Sequence, residues 1–271
     1  MLEFKFSVLL PIYYRENPTF FNQALDSLVN QTYPATEVVI VKDGPLTPDL
    51  DRVIDSFYKI LPIKVIALDK NIGLGEALNI GLTHCSYEYV ARMDSDDICV
   101  PERFEKQVNA FKAHPKLDIL GGYLQEFVNQ PGDLKVIRKV PTEHSEIQSY
   151  TFYRCPFNHP TVMFRKSAVL AVGSYQKMPF FEDYFLWIRM ANSYCTFKNL
   201  GENLLYFRIG NNMIRRRHGL AYANHELSFF TYCYENNLVS LLQLLRFYLR
   251  FPIRLLPVSM LKKIYDLVLR K

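Results

Sequence analysis

The first hundred residues alternate short apolar runs with helical patterns, and this alternation constrains the fold more than any other feature. Phe6–Ile12 (FSVLLPI) is a continuous apolar run of strand length, as expected for a strand covered on both faces. Asn17-Pro18 supplies an N-cap followed by proline at the first helical position, and Phe21, Leu25, Leu28 and Val29 recur at helical spacing. Val38–Val41 is a second strand, ending in the turn signal Asp43-Gly44-Pro45. Residues 49–60 read as helix, Ile63–Leu68 as a third strand, Gly75–Thr83 as helix and Tyr87–Met93 as a fourth strand. Three β-α-β steps predict a parallel sheet with right-handed crossovers.

Beyond Pro101 the texture becomes α+β, with a helix over 102–113, strand-like stretches at 117–128 and 134–139, and mixed elements to about residue 210. No linker divides the halves, so residues 1–235 read as one domain. Two helical segments, 238–250 and 258–270, separated by Pro252 and Pro257, follow as an extension over 236–271. With 49% hydrophobic and 14% aromatic residues, the chain buries a sizeable core and is not an intrinsically disordered protein. The net charge of +5 is unevenly placed: the segment from Leu238 onward is +6, leaving residues 1–237 at −1. A neutral body argues against nucleic-acid binding, which needs Lys and Arg spread over a docking face. The five cysteines are odd in number and lack any CxxC pair, a pattern of reduced cytosolic thiols without structural zinc. Residues 1–6 read as the lead into a strand, with no secretory signal, and no apolar run reaches the roughly 18 residues of a membrane span.

Ligands bind outside the C-terminal ends of strands in open parallel sheets. The ends here carry Tyr13, Asp43-Gly44, Asn71-Ile72-Gly73 and Asp94-Ser95-Asp96-Asp97, which converge on one sheet edge. The acidic run is the sharpest signal, because clustered carboxylates repel each other until a cation neutralises them. Asp94 and Asp96 project to one side, a spacing that suits a divalent ion with a phosphorylated ligand. The alternative is that Asp96 or Asp97 caps the helix beginning at Pro101.

Four ordered segments carry a family resemblance: Ser7-Val8-Leu9-Leu10-Pro11-Ile12-Tyr13; Val39-Ile40-Val41-Lys42-Asp43-Gly44; Asn71-Ile72-Gly73-Leu74 with Ala77-Leu78-Asn79; and Arg92-Met93-Asp94-Ser95-Asp96-Asp97 with Pro101 and Arg103. A fifth lies at Phe181-Glu182-Asp183-Tyr184 with Leu186 and Arg189. Together they resemble a family 2 glycosyltransferase of GT-A fold. Asp43–Thr47, Asn211-Asn212-Met213 and Arg215-Arg216-Arg217 are most similar to bacterial exopolysaccharide transferases of the amylovoran-biosynthesis type. The resemblance implies a Rossmann-like, mostly parallel α/β sheet flanked by helices. Residues 1–100 would form its nucleotide-sugar half and 101–235 its acceptor half.

The activity so implied is inverting transfer of a hexose, galactose or glucose favoured, from a UDP-hexose to a lipid-linked saccharide of an exopolysaccharide or capsule repeat unit. The cofactor is Mg²⁺ or Mn²⁺, with Asp96 as its main ligand and Asp94 reaching the metal or the ribose. Asp183 is the expected base, with Glu182 in reserve. Asp43 is suited to the uracil N3–H, Tyr13 to flanking the ring, and Asn71 lies in the same nucleotide region. Lys42 replaces the family's usual first Asp of the second motif.

Arg246, Arg250 and Arg254 recur every four residues among leucines, so the extension reads as a basic amphipathic helix lying on a membrane interface. The implied location is cytoplasmic, peripheral on the inner face of the inner membrane, where other polysaccharide-assembly transferases are possible partners. A helix packed back on the domain with its arginines on the wet side is the alternative. His159, within Asn158-His159-Pro160-Thr161, reads either as an acceptor-side residue or as a turn histidine bonded to backbone. Arg215–Arg217 read as a diphosphate clamp or as a solvated loop. Gly73-Leu74-Gly75 only imitates a dinucleotide fingerprint, since it follows the third strand. A non-catalytic scaffold that keeps the fold is the alternative function, with Lys42 in its favour. A sugar-phosphate nucleotidyltransferase would need a Gly-rich basic loop where Tyr13-Tyr14-Arg15-Glu16 stands.

Overall fold

Strand β1 (Phe6–Ile12) is buried along its whole length and lies parallel to β2 (Glu37–Lys42) on one side and to β4 (Tyr89–Arg92) on the other. Strand β3 (Ile63–Ala67) adds to β2, again parallel. These relationships come from a computed structural model, which describes residues 4–209, 219–257 and 260. Helices α1 (Pro18–Val29), α2 (Pro48–Phe57) and α3 (Leu74–His84) make the crossovers. Asn17 caps α1 as its sequence predicts, its side chain accepting from the Thr19 and Phe20 amides.

The second half extends the same sheet with mixed direction. After the short β5 (Ile98–Cys99) and α4 (Arg103–Ala113) come β6 (Ile119–Phe127) and β7 (Ile137–Arg138). Helix α5 (His144–Thr151), a 3₁₀ turn at His159–Thr161, β8 (Met163–Arg165) and α6 (Lys166–Ala171) lead to α7 (Glu182–Ala191) and the long β9 (Phe197–Arg208). The strand order is β3-β2-β1-β4-β8-β6-β9-β5, with β7 beside β6. Strand β8 runs antiparallel to both β4 and β6, so the parallel direction resumes at β6 and β9.

Alternation along β1 divides the core. Val8, Leu10 and Ile12 pack with Phe21, Leu25, Leu50, Ile54 and Phe104 from α1, α2 and α4. Leu9 faces the other way, toward Leu78 and Leu82 of α3 and Leu186 and Trp187 of α7. The expected core role of Trp187 is what the structure shows, at 1% exposure. A third cluster joins α7, through Phe181, Phe185 and Ile188, to α8 (Gly219–Glu235) and α9 (Leu241–Tyr248). Each fully buried Phe contributes on the order of 2–3 kcal/mol, so this cluster clamps the C-terminal helices onto the domain.

The extension differs from its sequence reading in two ways. Its first helix spans 241–248 instead of 238–250, because Ser240 and Gln243 form a capping box that starts it. Pro252, expected between helices, lies in the first turn of α10 (Phe251–Arg254), where its missing N–H costs nothing. The expected helix over 258–270 and the Arg215–Arg217 and Asn211–Met213 segments lie outside the described residues.

Candidate active site

A cavity of about 920 Å³ opens at the C-terminal ends of β1, β2 and β4. Tyr13, Asp43, Asn71, Asp94, Asp96, Glu182 and Asp183 all line it. The first five arrive on turns after parallel strands, and the last two arrive on the first turn of α7. Residues about ninety apart in sequence therefore share one space.

Asp43 is 5% exposed and holds the neighbouring loop: Oδ1 accepts from the Ile72 amide at 2.7 Å and Oδ2 from the Gly73 amide at 3.1 Å. Asn71 returns a side-chain bond to the Asp43 carbonyl at 3.3 Å. Gly44, at φ +88°, brings the two loops so close that a Cβ would lie 2.7 Å from the Asn71 nitrogen. The site thus uses both Asp43 oxygens to shape the loop, a job additional to the base contact expected of it. Lys42 does not face the cavity, because its ammonium pairs with Asp51 of α2 at 2.6 Å.

Asp94, Asp96 and Asp97 place one carboxylate oxygen each within 4.8 Å of one another. Two arginines answer this charge, and the sequence reading assigned a role to neither. Arg92, 2% exposed, pairs with Asp94, and Arg208 packs over Phe20 and Phe127 and donates from Nε to the Asp96 carbonyl at 2.9 Å. Burial, and then the neighbouring Asp94, raise the Asp96 carboxyl to about 6, against partial relief from Arg92 and Arg208. Asp97 is pushed up further by burial and by its two acidic neighbours. The residues fit a divalent cation on two counts: three hard oxygen donors converge, and the buried Asp97 Oδ2 has no hydrogen-bond partner. The capping alternative fails, since Glu102 is the N-cap of α4 and Asp97 Oδ1 accepts the distant Arg208 amide at 2.9 Å. Arg103, fully buried, supports the motif from behind by donating to the Arg92 carbonyl at 2.8 Å.

Glu182 and Asp183 follow Phe180, whose φ of 71° is uncommon for a bulky residue and marks a sharp turn into α7. Burial raises the Glu182 carboxyl to about 7, with Asp183 a minor contributor. Gly75 lets α3 approach closely, for a Cβ there would lie 2.8 Å from Glu182 Cγ. Asp183 Oδ1 accepts the Tyr184 amide at 2.7 Å. His159 also lines the cavity, but its Nε2 pairs with the Tyr175 hydroxyl at 3.0 Å, a side-chain partner that neither reading anticipated. Burial, then Arg92, hold its imidazole well below the usual histidine range.

The C-terminal helices complete the cavity with Tyr222, Glu226, Phe230, Arg250 and Arg254. Arg254 forms two 2.7 Å bonds to Glu226, and Arg246 reaches the Tyr153 hydroxyl. The extension therefore turns Arg250 and Arg254 into the cavity and leaves Arg246 exposed against Tyr153. Its solvent face carries Leu241, Leu242, Leu245 and Leu249, the last at 76% exposure. Arg250 and Arg254 thus face the cavity while Arg246 stays exposed beside the leucines, so the packed-back alternative, with all its arginines on the wet side, holds only for Arg246.

The sequence model of glycosyl transferase family 2 matches residues 7–173, the stretch that builds the sheet through β8 and holds the aspartate cluster. The chain belongs to glycosyl transferase family 2. Family relatives span nearly its whole length. The amylovoran biosynthesis glycosyltransferase AmsE of Erwinia amylovora is 37% identical, covering 96% of this chain and 98% of its own. The Escherichia coli UDP-Gal:α-D-GlcNAc-diphosphoundecaprenol β-1,3-galactosyltransferase is 38% identical, covering 98% and 97%. Among solved structures, the Pyrobaculum calidifontis mannosyltransferase PcManGT in complex with GDP-Man and Mn²⁺ aligns with a TM-score of 0.66 at 18% identity, over 97% of this chain and 75% of that one. S. aureus TarS in complex with UDP-GlcNAc aligns at 0.65 and 20% identity, over 84% of this chain and 66% of that one. This family 2 member has the GT-A fold and is a glycosyltransferase, so the enzyme reading prevails over the scaffold.

Proposed function

We propose that this enzyme transfers a hexose, galactose or glucose, from its UDP-activated form to a lipid-linked saccharide in the assembly of a bacterial surface polysaccharide, with inversion at the anomeric carbon. The observation that carries the reading is the shared cavity: Asp94 and Asp96 open onto the same space as the Glu182-Asp183 pair. The activity in the name of the E. coli relative supports a UDP-hexose and a diphosphate-linked lipid acceptor.

In this reading residues 1–100 hold the donor and 101–235 the acceptor. Tyr13 and Asn71 flank the nucleotide, and Asp43 keeps the Asn71–Gly73 loop against it while offering remaining lone pairs to the base N–H. Asp96 and Asp94 would hold Mg²⁺ or Mn²⁺, which when bound would supply Lewis acidity to the departing diphosphate. Arg92 orients the Asp94 carboxylate and Arg208 holds the Asp96 main chain, so the pre-set charge needs little reorganisation as the bond breaks. Asp183 takes the proton of the acceptor hydroxyl, and Glu182 beside it is the second group able to do so.

The leucine face of α9 supports peripheral attachment to the inner face of the inner membrane, where a lipid-linked acceptor resides. No helix among the described residues is long and apolar enough to cross a membrane.

A donor screen of UDP-, GDP- and dTDP-sugars against a lipid-extract acceptor, read by released nucleotide, tests the assignment. UDP-galactose or UDP-glucose is expected to turn over. Asp96→Ala is expected to abolish turnover, and Asp183→Asn to keep UDP binding while losing transfer. Full activity of either variant overturns its assigned role.

A further inference from the structure

Seven cationic side chains line the cavity, and their pairing is uneven. Arg92 and Arg208 serve the aspartate cluster, Arg138 pairs with Glu126 at 2.8 Å, and Arg254 is neutralised by Glu226. Arg154, Arg250 and Lys139 have no carboxylate partner among the described residues.

Arg154 and Arg250 reach the cavity from different elements, one just after α5 and the other between α9 and α10. Both are half-buried. Arg154 has a long 3.4 Å contact to the Tyr150 hydroxyl, and Arg250 lies over the Phe247 ring with its carbon 4.8 Å from the centroid. Burial opposes the charge of Arg250, and so do its like-charged neighbours Arg154 and Arg254, while Tyr184 and Glu226 partly support it. The Tyr184 hydroxyl donates to the Thr151 carbonyl at 2.7 Å, fixing the end of α5 against α7. Both arginines stand near the Asp183 turn: Tyr184 is an electrostatic neighbour of Arg250, and Cys155, next to Arg154 in sequence, lies 3.9 Å from Asp183 Oδ2.

Converging arginines, half-buried and with no carboxylate in ion-pair range among the described residues, make a site for a doubly charged anion, because guanidinium groups bind phosphate oxygens with paired hydrogen bonds. In the proposed reading the aspartate cluster takes the donor's diphosphate at the ends of β1 and β4. We propose that Arg154 and Arg250, with Lys139 at the rim, bind the diphosphate of the acceptor, a saccharide joined through diphosphate to a lipid. The inference rests on the proposed reading of Glu182 and Asp183 as the acceptor side. It gives the C-terminal helices a role in substrate recognition. Arg250, supplied by the segment between α9 and α10, completes a subsite that the body of the domain leaves open.

Calorimetry of the full chain with decyl diphosphate, in EDTA so that no cation occupies the aspartates, tests this directly. Arg154→Gln/Arg250→Gln is expected to weaken decyl diphosphate at least tenfold, and Arg154→Lys/Arg250→Lys to restore part of the loss. In the presence of Mn²⁺, UDP affinity is expected to be unchanged in the Gln variant. A parallel UDP and Mn²⁺ titration of the wild-type chain reports on the donor reading alone, so the two ideas fail separately. Association with phosphatidylglycerol vesicles is expected to be equal in wild type and variant. Unchanged decyl diphosphate affinity overturns the proposal, and so does a tenfold loss of UDP affinity or a loss confined to vesicle binding.

Discussion

Asp97 accepts the main-chain N–H of Arg208 at 2.9 Å, joining the turn that follows β4 to the last residue of β9. The bond brings Arg208 to the acidic cluster and leaves Asp97 Oδ2 buried with no partner. A carboxylate here costs stability until something positive meets its second oxygen.

Replacing Asp97 separates these two effects. Asp97→Ala leaves the Arg208 amide unsatisfied and is expected to cost about 1.5–3 kcal/mol in urea unfolding. Asp97→Asn keeps an acceptor and removes the buried charge. Its metal-free stability is expected to equal or exceed wild type, while Mn²⁺ affinity by calorimetry falls. Indistinguishable Ala and Asn variants contradict this account.

Glu182 sets a pH dependence. Its folded carboxyl lies at about 7 against an ordinary 4.5, so the group is protonated at acidic pH and becomes a base as pH rises through 7. If it assists proton removal, the acid limb of kcat has an inflection near 7 that disappears in Glu182→Gln. Stability runs the other way: between 4.5 and 7 the folded state binds more protons, so the benefit present below 4.5 is lost as pH climbs. Glu182→Gln is therefore expected to gain stability relative to wild type across that window, measured by Tm at pH 4.5 and 8.

Gly75→Ala tests the spacing between α3 and α7. The added Cβ meets Glu182 Cγ at 2.8 Å and forces that side chain aside. Displacements of this kind cost up to about a hundredfold in rate, so kcat is expected to fall tenfold or more. The fold is expected to persist, since alanine favours helix. Unaltered kcat with normal circular dichroism removes Glu182 from the reacting geometry.

The C-terminal helices offer two opposed substitutions. Arg254→Ala strands the Glu226 carboxylate, whose side chain is 10% exposed, and is expected to cost about 3 kcal/mol in hydrogen exchange of α8 to α10. Leu245→Glu with Leu249→Glu changes residues 49% and 76% exposed, so folding should be unaffected while sedimentation with phosphatidylglycerol vesicles drops. Unreduced sedimentation counts against the leucine face as the membrane contact.

Much of this protein was legible in its sequence because local rules act locally. The run Phe6–Ile12 became β1 with the same bounds, Asn17-Pro18 began α1, and the polar residues at four strand ends reached one cavity, since parallel strands put their C-terminal ends on one edge. Tertiary structure decided what depends on distant charge and shape. Arg208 meets Asp97 across 111 residues, Lys42 turns to Asp51, and His159 finds Tyr175. Arg250 and Arg254 of the extension face inward because Glu226 and the cavity compete with solvent for them, a contest no helical period records. Periodicity and turn chemistry depend on near neighbours and can be read along a chain. Ion pairing and burial depend on which surfaces meet after folding, and only the assembled molecule determines that.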